Sequence, residues 1–164
     1  MKQNEFQEKL EAYIYMGKNI VYGDESGFAY SMPRTHGYTF KGQKCYGVKD
    51  FGNKNRTNVI GALYNGNLIC VGLFNCNIDT GLYTQWVKDE LLNQLPDNSV
   101  YIIDNASFHK ESEIRPLLEA NGHILLYLPP YSPEYNKIEN KWAQAKHFKR
   151  KYRCDVDTLF QQYM

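Results

Sequence analysis

Asp24 follows Asn19-Ile20-Val21-Tyr22-Gly23, Asp104 follows Val100-Tyr101-Ile102-Ile103, and Glu139 stands just beyond a proline-rich turn. Carboxylates at the edges of buried elements suit one chemistry in particular. Hydrolysis or transfer at a phosphodiester needs an in-line oxygen nucleophile and a means of neutralising charge on the pentavalent phosphorus. Two divalent ions about 3.5–4 Å apart do this, and they require hard oxygen ligands, chiefly carboxylates from separate elements. Each acid taken alone also has a structural reading, because an Asp or Glu after a strand often forms a turn or caps a helix.

The elements around these acids are set by local pattern. Pro129, Pro130 and Pro133 forbid regular helix or central strand between 129 and 133, so the chain must leave a strand there and turn. Asn136 is a good N-cap for a helix from about Lys137 to Tyr152, with Ile138, Trp142 and Ala145 on its apolar side and Glu139 in its first turn. Asn19 to Tyr22 is expected as a short central strand that ends at Asp24. Residues 31–57 are read as irregular, with room for one or two short edge strands. Asn58–Tyr64 and Leu68–Asn75 flank Asn65-Gly66, the pair that most favours a two-residue hairpin turn. A helix from Asp79 or Thr80 to about Leu95 stops at Pro96. Ser99–Ile103 and Ile124–Leu128 are apolar strands separated by a helix over 110–120 that ends at Asn121-Gly122. The order predicts an α/β fold whose mixed sheet joins an antiparallel hairpin to parallel strands, flanked by helices. An amphipathic helix over 4–16 leads in.

The chain has 164 residues, enough for one domain with one good core, and a net charge of +1. Cys45, Cys70, Cys76 and Cys154 lack C-x-x-C spacing and are read as reduced thiols. No apolar run reaches the ~18 residues a membrane span needs, and no signal peptide follows Met1. A cytoplasmic protein is expected, with no membrane partner.

Three blocks carry a family resemblance. Tyr22-Gly23-Asp24-Glu25-Ser26-Gly27-Phe28, Ile102-Ile103-Asp104-Asn105-Ala106-Ser107-Phe108-His109 and Leu128-Pro129-Pro130-Tyr131-Ser132-Pro133-Glu134-Tyr135-Asn136-Lys137-Ile138-Glu139-Asn140-Lys141-Trp142 resemble the signature blocks of DDE transposases in the mariner-like superfamily. The nearest likeness is to the bacterial insertion-sequence branch, which uses the same spacing of 34 residues between Asp104 and Glu139. The resemblance covers about residues 19–150. It implies an RNase H-like fold and a two-metal site in which Asp24, Asp104 and Glu139 hold Mg²⁺ or Mn²⁺. It also implies cleavage at transposon ends, strand transfer by the freed 3′-hydroxyl, double-stranded DNA as partner, a dimer when active, and a place at the bacterial nucleoid. Two departures stand out. Lys137 occupies a position where that branch usually has proline. Helix-turn-helix modules normally precede such a core, yet only 18 residues precede Asn19, so a separate helix-turn-helix portion is expected. The chain divides accordingly into a lead-in helix over 1–18, a catalytic domain over 19–153 and a C-terminal tail over 154–164. A nuclease that hydrolyses without strand transfer, and a silent DNA-binding regulator, remain alternatives.

Other residues gather around the acids. Glu25 points to the face of its strand opposite Asp24 and is read as a surface or supporting residue. His109 orients Asp104 or a phosphate, or else caps the next helix. Asn105 and Asn140 flank proposed ligands and can hydrogen-bond them or DNA. Glu134 is the rival of Glu139 for the third ligand, which a helix would hold more rigidly than a loop. Lys141, Lys146, Lys149, Arg150 and Lys151 begin near the acids and are expected to follow a DNA backbone, against the alternative of a solvated face. Trp86 and Trp142 are read as core.

Overall fold

A computed structural model describes residues 2–30 and 56–164; most of the 31–57 segment therefore lies outside the described residues. Five strands form one sheet in the order β3-β2-β1-β4-β5. β1 (Asn19–Ala29), β2 (Arg56–Tyr64) and β3 (Asn67–Phe74) are antiparallel neighbours, while β4 (Ser99–Ile103) and β5 (Ile124–Tyr127) extend β1 on its other side as parallel strands. The hairpin turns at Asn65-Gly66, both with positive φ (48° and 79°), as a type I′ turn requires.

Helices cover both faces. On one side α2 (Thr80–Trp86) runs through a π-helical stretch, Val87–Leu91, into the single turn α3 (Leu92–Gln94). Asp79 starts this run by accepting a bond from the Leu82 amide at 2.8 Å. With α4 (Glu111–Ala120) it buries Tyr83, Trp86, Leu91, Ile114 and Leu118 against Val21, Ile60, Tyr101 and Ile103. On the other side α1 (Gln3–Tyr15) and α5 (Ile138–Tyr152) place Phe6, Ile138, Trp142 and Ala145 over Tyr22, Phe28, Val59 and Ile102. Strand residues thus alternate between two apolar layers, as the two-residue period demands. α1 also reaches the proline turn. Gln3 donates to the Ser132 hydroxyl at 3.1 Å, and the Phe6 ring meets Tyr135 edge to face at 5.7 Å.

Two expectations need correction. β1 does not end at Asp24. It loses its parallel partner β4 after the Tyr22–Ile102 pair, but its antiparallel ladder with β2 continues to Ala29 and holds Ser26 and Gly27 extended. The segment read as a tail folds back through α6 (Val156–Thr158) and a π-helical turn, Leu159–Tyr163. Val156 and Leu159 are buried in the core with Phe160 packed against it, and the Asp155 carboxylate caps α6 by accepting from the Thr158 amide at 2.7 Å.

Among the described residues, no helix is long and apolar enough to cross a membrane. Cys70 is buried, Cys76 exposed and Cys154 half-buried, all as free thiols.

Candidate active site

The sheet opens where β4 leaves β1. Asp24 sits at that fork, 8% exposed, on the α5 face. The Trp142 indole N–H donates to its Oδ2 at 3.2 Å. Trp142 reaches it by crossing β2 at Gly61, the residue opposite Asp24; a Cβ there would stand 2.5 Å from the indole ring. Burial raises the Asp24 carboxyl from 3.8 to about 8, and the negative charges of Glu25, Glu139 and Asp104 push the same way.

Asp104 follows β4 directly and is open to solvent. Its Oδ1 accepts from the Ala106 amide at 3.1 Å and stands 2.9 Å from His109 Nδ1. His109 is buried, and Nδ1 also lies 3.0 Å from the Asp104 carbonyl. Its other ring nitrogen, Nε2, meets Glu25 Oε1 in a close contact. Burial alone would lower the imidazole, but hydrogen bonds to Asp104 and Glu25 and the Glu25 charge carry it up to about 10. His109 is therefore a cation between two carboxylates. Its hydrogen bond holds Asp104 below the usual range against the effect of burial. Burial raises Glu25, and the bond from His109 opposes that rise.

Glu139 lies in the first turn of α5, its amide bonded to the Asn136 carbonyl at 3.1 Å. Asp24, Asp104 and Glu139 line one cleft of about 400 Å³, together with Asn105, Asn136 and the turn from Leu128 to Pro133. Glu134 sits in the short 3₁₀ turn Pro133–Tyr135 and is not among the cleft-lining residues. Asn140 is exposed outside that lining. Among the described residues, no three His, Cys, Asp or Glu side chains stand close enough to hold one metal ion together. Asp24 is turned to Trp142 and Asp104 to His109.

Asn136 departs from its expected role. Its backbone is extended, but its side chain does not cap α5. Nδ2 points back to the Gly23 carbonyl at 3.4 Å, and Oδ1 is buried without a hydrogen-bond partner. A buried, unpartnered amide oxygen beside carboxylates leaves a donor set of hard oxygens, which fits Mg²⁺ or Mn²⁺.

Lys149 is also corrected. It is 4% exposed and its Nζ donates to the Tyr30 carbonyl at 3.1 Å, because its position on α5 faces the end of β1. Burial lowers its amine. Lys141, Lys146 and Arg150 are half-buried and Lys151 is exposed; Lys146 lies over the Phe28 ring and Lys151 over Tyr152.

The model of one protein family, the DDE superfamily endonucleases, matches residues 19–159. The chain belongs to that family. Among solved structures, this DDE chain resembles the Mos1 strand transfer complex, with a TM-score of 0.77 at 20% identity over 98% of this chain and 50% of the other. It resembles the Mos1 transposase paired-end complex with left transposon end at a TM-score of 0.73 and 21% identity, over 90% of this chain and 47% of that one. A Mos1 mariner paired end complex with Mn gives 0.71 and 21%, over 89% and 47%. At these identities the likeness establishes the RNase H-like fold, and the chain spans about half the length of those proteins. No curated protein sequence matches it.

Sequence reasoning missed the link from Trp142 to Asp24. The signal was present, since Trp142 follows Glu139 by three residues and so shares its side of the helix.

Proposed function

We propose that this chain is the catalytic core of a transposase of the insertion-sequence type, cutting DNA at element ends and joining the freed 3′-hydroxyl to target DNA. The observation that carries this reading is that Asp24, Asp104 and Glu139, from β1, the β4 exit and α5, line one cleft of a DDE-family fold. These three side chains would hold Mg²⁺ or Mn²⁺. Ions bound there would neutralise negative charge on the oxygens of the pentavalent phosphorus and activate the attacking oxygen. The protein contributes position and charge balance. His109, gripped by Glu25, keeps Asp104 ionised and aimed; Trp142 fixes one oxygen of Asp24; α5 fixes Glu139. Glu139, not Glu134, is the third ligand, because it lines the cleft from a rigid helix.

Double-stranded DNA is the partner, with Lys141, Lys146, Arg150 and Lys151 near its phosphates and with Asn105 and Asn140 beside the ligands. A separate helix-turn-helix portion reads the element end, and the active unit is a dimer at the nucleoid. The named contents of solved relatives, a transposon end and Mn among them, agree with this. The test is Mn²⁺-dependent joining of a pre-cut 3′-hydroxyl end to a supercoiled plasmid. Joined product supports the reading. Nicked plasmid without joining makes the chain a nuclease, and no product with an intact triad makes it a silent DNA binder.

A further inference from the structure

Tyr131 is the most conspicuous residue at the mouth of the cleft. It lines that cleft with the three acids, yet its side chain is 100% exposed. Its backbone has φ 55°, the left-handed region that costs a residue bearing a Cβ and that Gly or Asn fills more easily. Both neighbours are fixed. Pro130 precedes it, Ser132 is 3% exposed, and the Ser132 hydroxyl accepts from Gln3 at 3.1 Å and donates to the Pro130 carbonyl at 3.2 Å. A large ring is therefore held out in water on a pinned, strained turn at the edge of a reactive cleft. Strain of this kind persists only where the surroundings impose it, and it concentrates at sites that grip ligands.

We propose that Tyr131 is a stacking platform for an unpaired nucleobase next to the phosphodiester in the cleft. The proposal rests on the DNA-processing reading above. The ring offers a fully exposed, flat π face beside the carboxylates of the cleft. A base presents a π face and needs no other apolar partner. Bases inside a duplex are already stacked on both sides, so the partner is a base released from pairing. Because the turn is fixed before binding, little ordering cost remains when the base arrives. The platform adds grip on a distorted or frayed end without reading its sequence.

The experiment uses the full chain in Ca²⁺ buffer with a forked duplex bearing 2-aminopurine at its first unpaired position, and a fully paired duplex as control. Binding of the wild type should quench the fork's fluorescence. Tyr131→Phe should retain the quench, because stacking does not need the hydroxyl. Tyr131→Asn, which tolerates the left-handed backbone, should lose the quench and bind the fork about tenfold more weakly. Its binding to the paired duplex and its melting temperature should not fall. Equal quenching and affinity in Tyr131→Asn would overturn the proposal, as would equal losses on fork and duplex. A wild type that binds neither DNA would overturn the DNA-processing reading itself and this proposal with it.

Discussion

The indole of Trp142 holds Asp24 from above: its N–H donates to Oδ2 at 3.2 Å while the ring lies across the strand residue Gly61. Trp142→Phe keeps an aromatic ring but removes the donor from a buried carboxyl. We expect about 1–3 kcal/mol of lost stability, with weaker Mn²⁺ binding. Gly61→Ala should have a similar effect by a different route, because its Cβ would stand 2.5 Å from a ring that is itself buried. Urea unfolding and a Mn²⁺ titration measure both; a Gly61→Ala protein with wild-type stability would mean that the indole does not lie there.

Asp24 gives the metal-free protein a distinctive pH dependence. Its carboxyl is raised from 3.8 to about 8 in the folded chain, first by burial and then by neighbouring charge. The folded state thus keeps a proton that the unfolded chain releases. The stability this provides is fully present below about pH 4 and lost as pH rises through about 8. Asp24→Asn should flatten that decline and be the more stable protein at pH 9 in chelator. Thermal melts from pH 5 to 9 decide it, and parallel curves for the two proteins would refute the buried-acid account. Metal affinity should rise with pH over the same window, since the bound ion must displace the proton.

His109→Gln tests the bridge between Glu25 and Asp104. Loss of a cation that holds a ligand in place should weaken Mn²⁺ binding by about 10–100-fold with little change in fold. Calorimetric titration reads this directly, and unchanged affinity would reduce His109 to a packing residue.

Glu139→Gln should abolish Mn²⁺-dependent nicking, whereas Glu134→Gln should retain it, because only Glu139 lines the cleft. The reverse pattern would exchange the two assignments.

The acids were legible because each is announced locally, by an apolar run that ends or by prolines that force a turn. Relationships that join distant residues were not. Glu25 and His109 meet across 84 positions and Lys149 meets the Tyr30 carbonyl across 119, and no local spacing encodes such pairings. The full extent of β1 is hidden for a related reason. Gly23-Asp24-Glu25-Ser26-Gly27 has the composition of a turn, and its extended form is imposed by pairing with β2.

Lys149 consequently separates from the other basic residues in experiment. Lys146→Ala and Lys151→Ala together should lessen the slope of log K against log salt by about 0.9 for each DNA phosphate that a lysine no longer neutralises. Lys149→Ala should leave that slope alone and lower the melting temperature, because it removes a buried stem and its bond to Tyr30. A salt slope that responds to Lys149→Ala would place this amine on the DNA after all.

The contacts of α1 with the proline turn tie the docking of that helix to the cleft mouth. Gln3 holds Ser132, and Phe6 holds Tyr135, on either side of Pro133. A pull on the first turn of α1 would therefore be felt at the rim where substrate enters, without passing through the sheet. The helix is a lever whose short arm rests beside the chemistry.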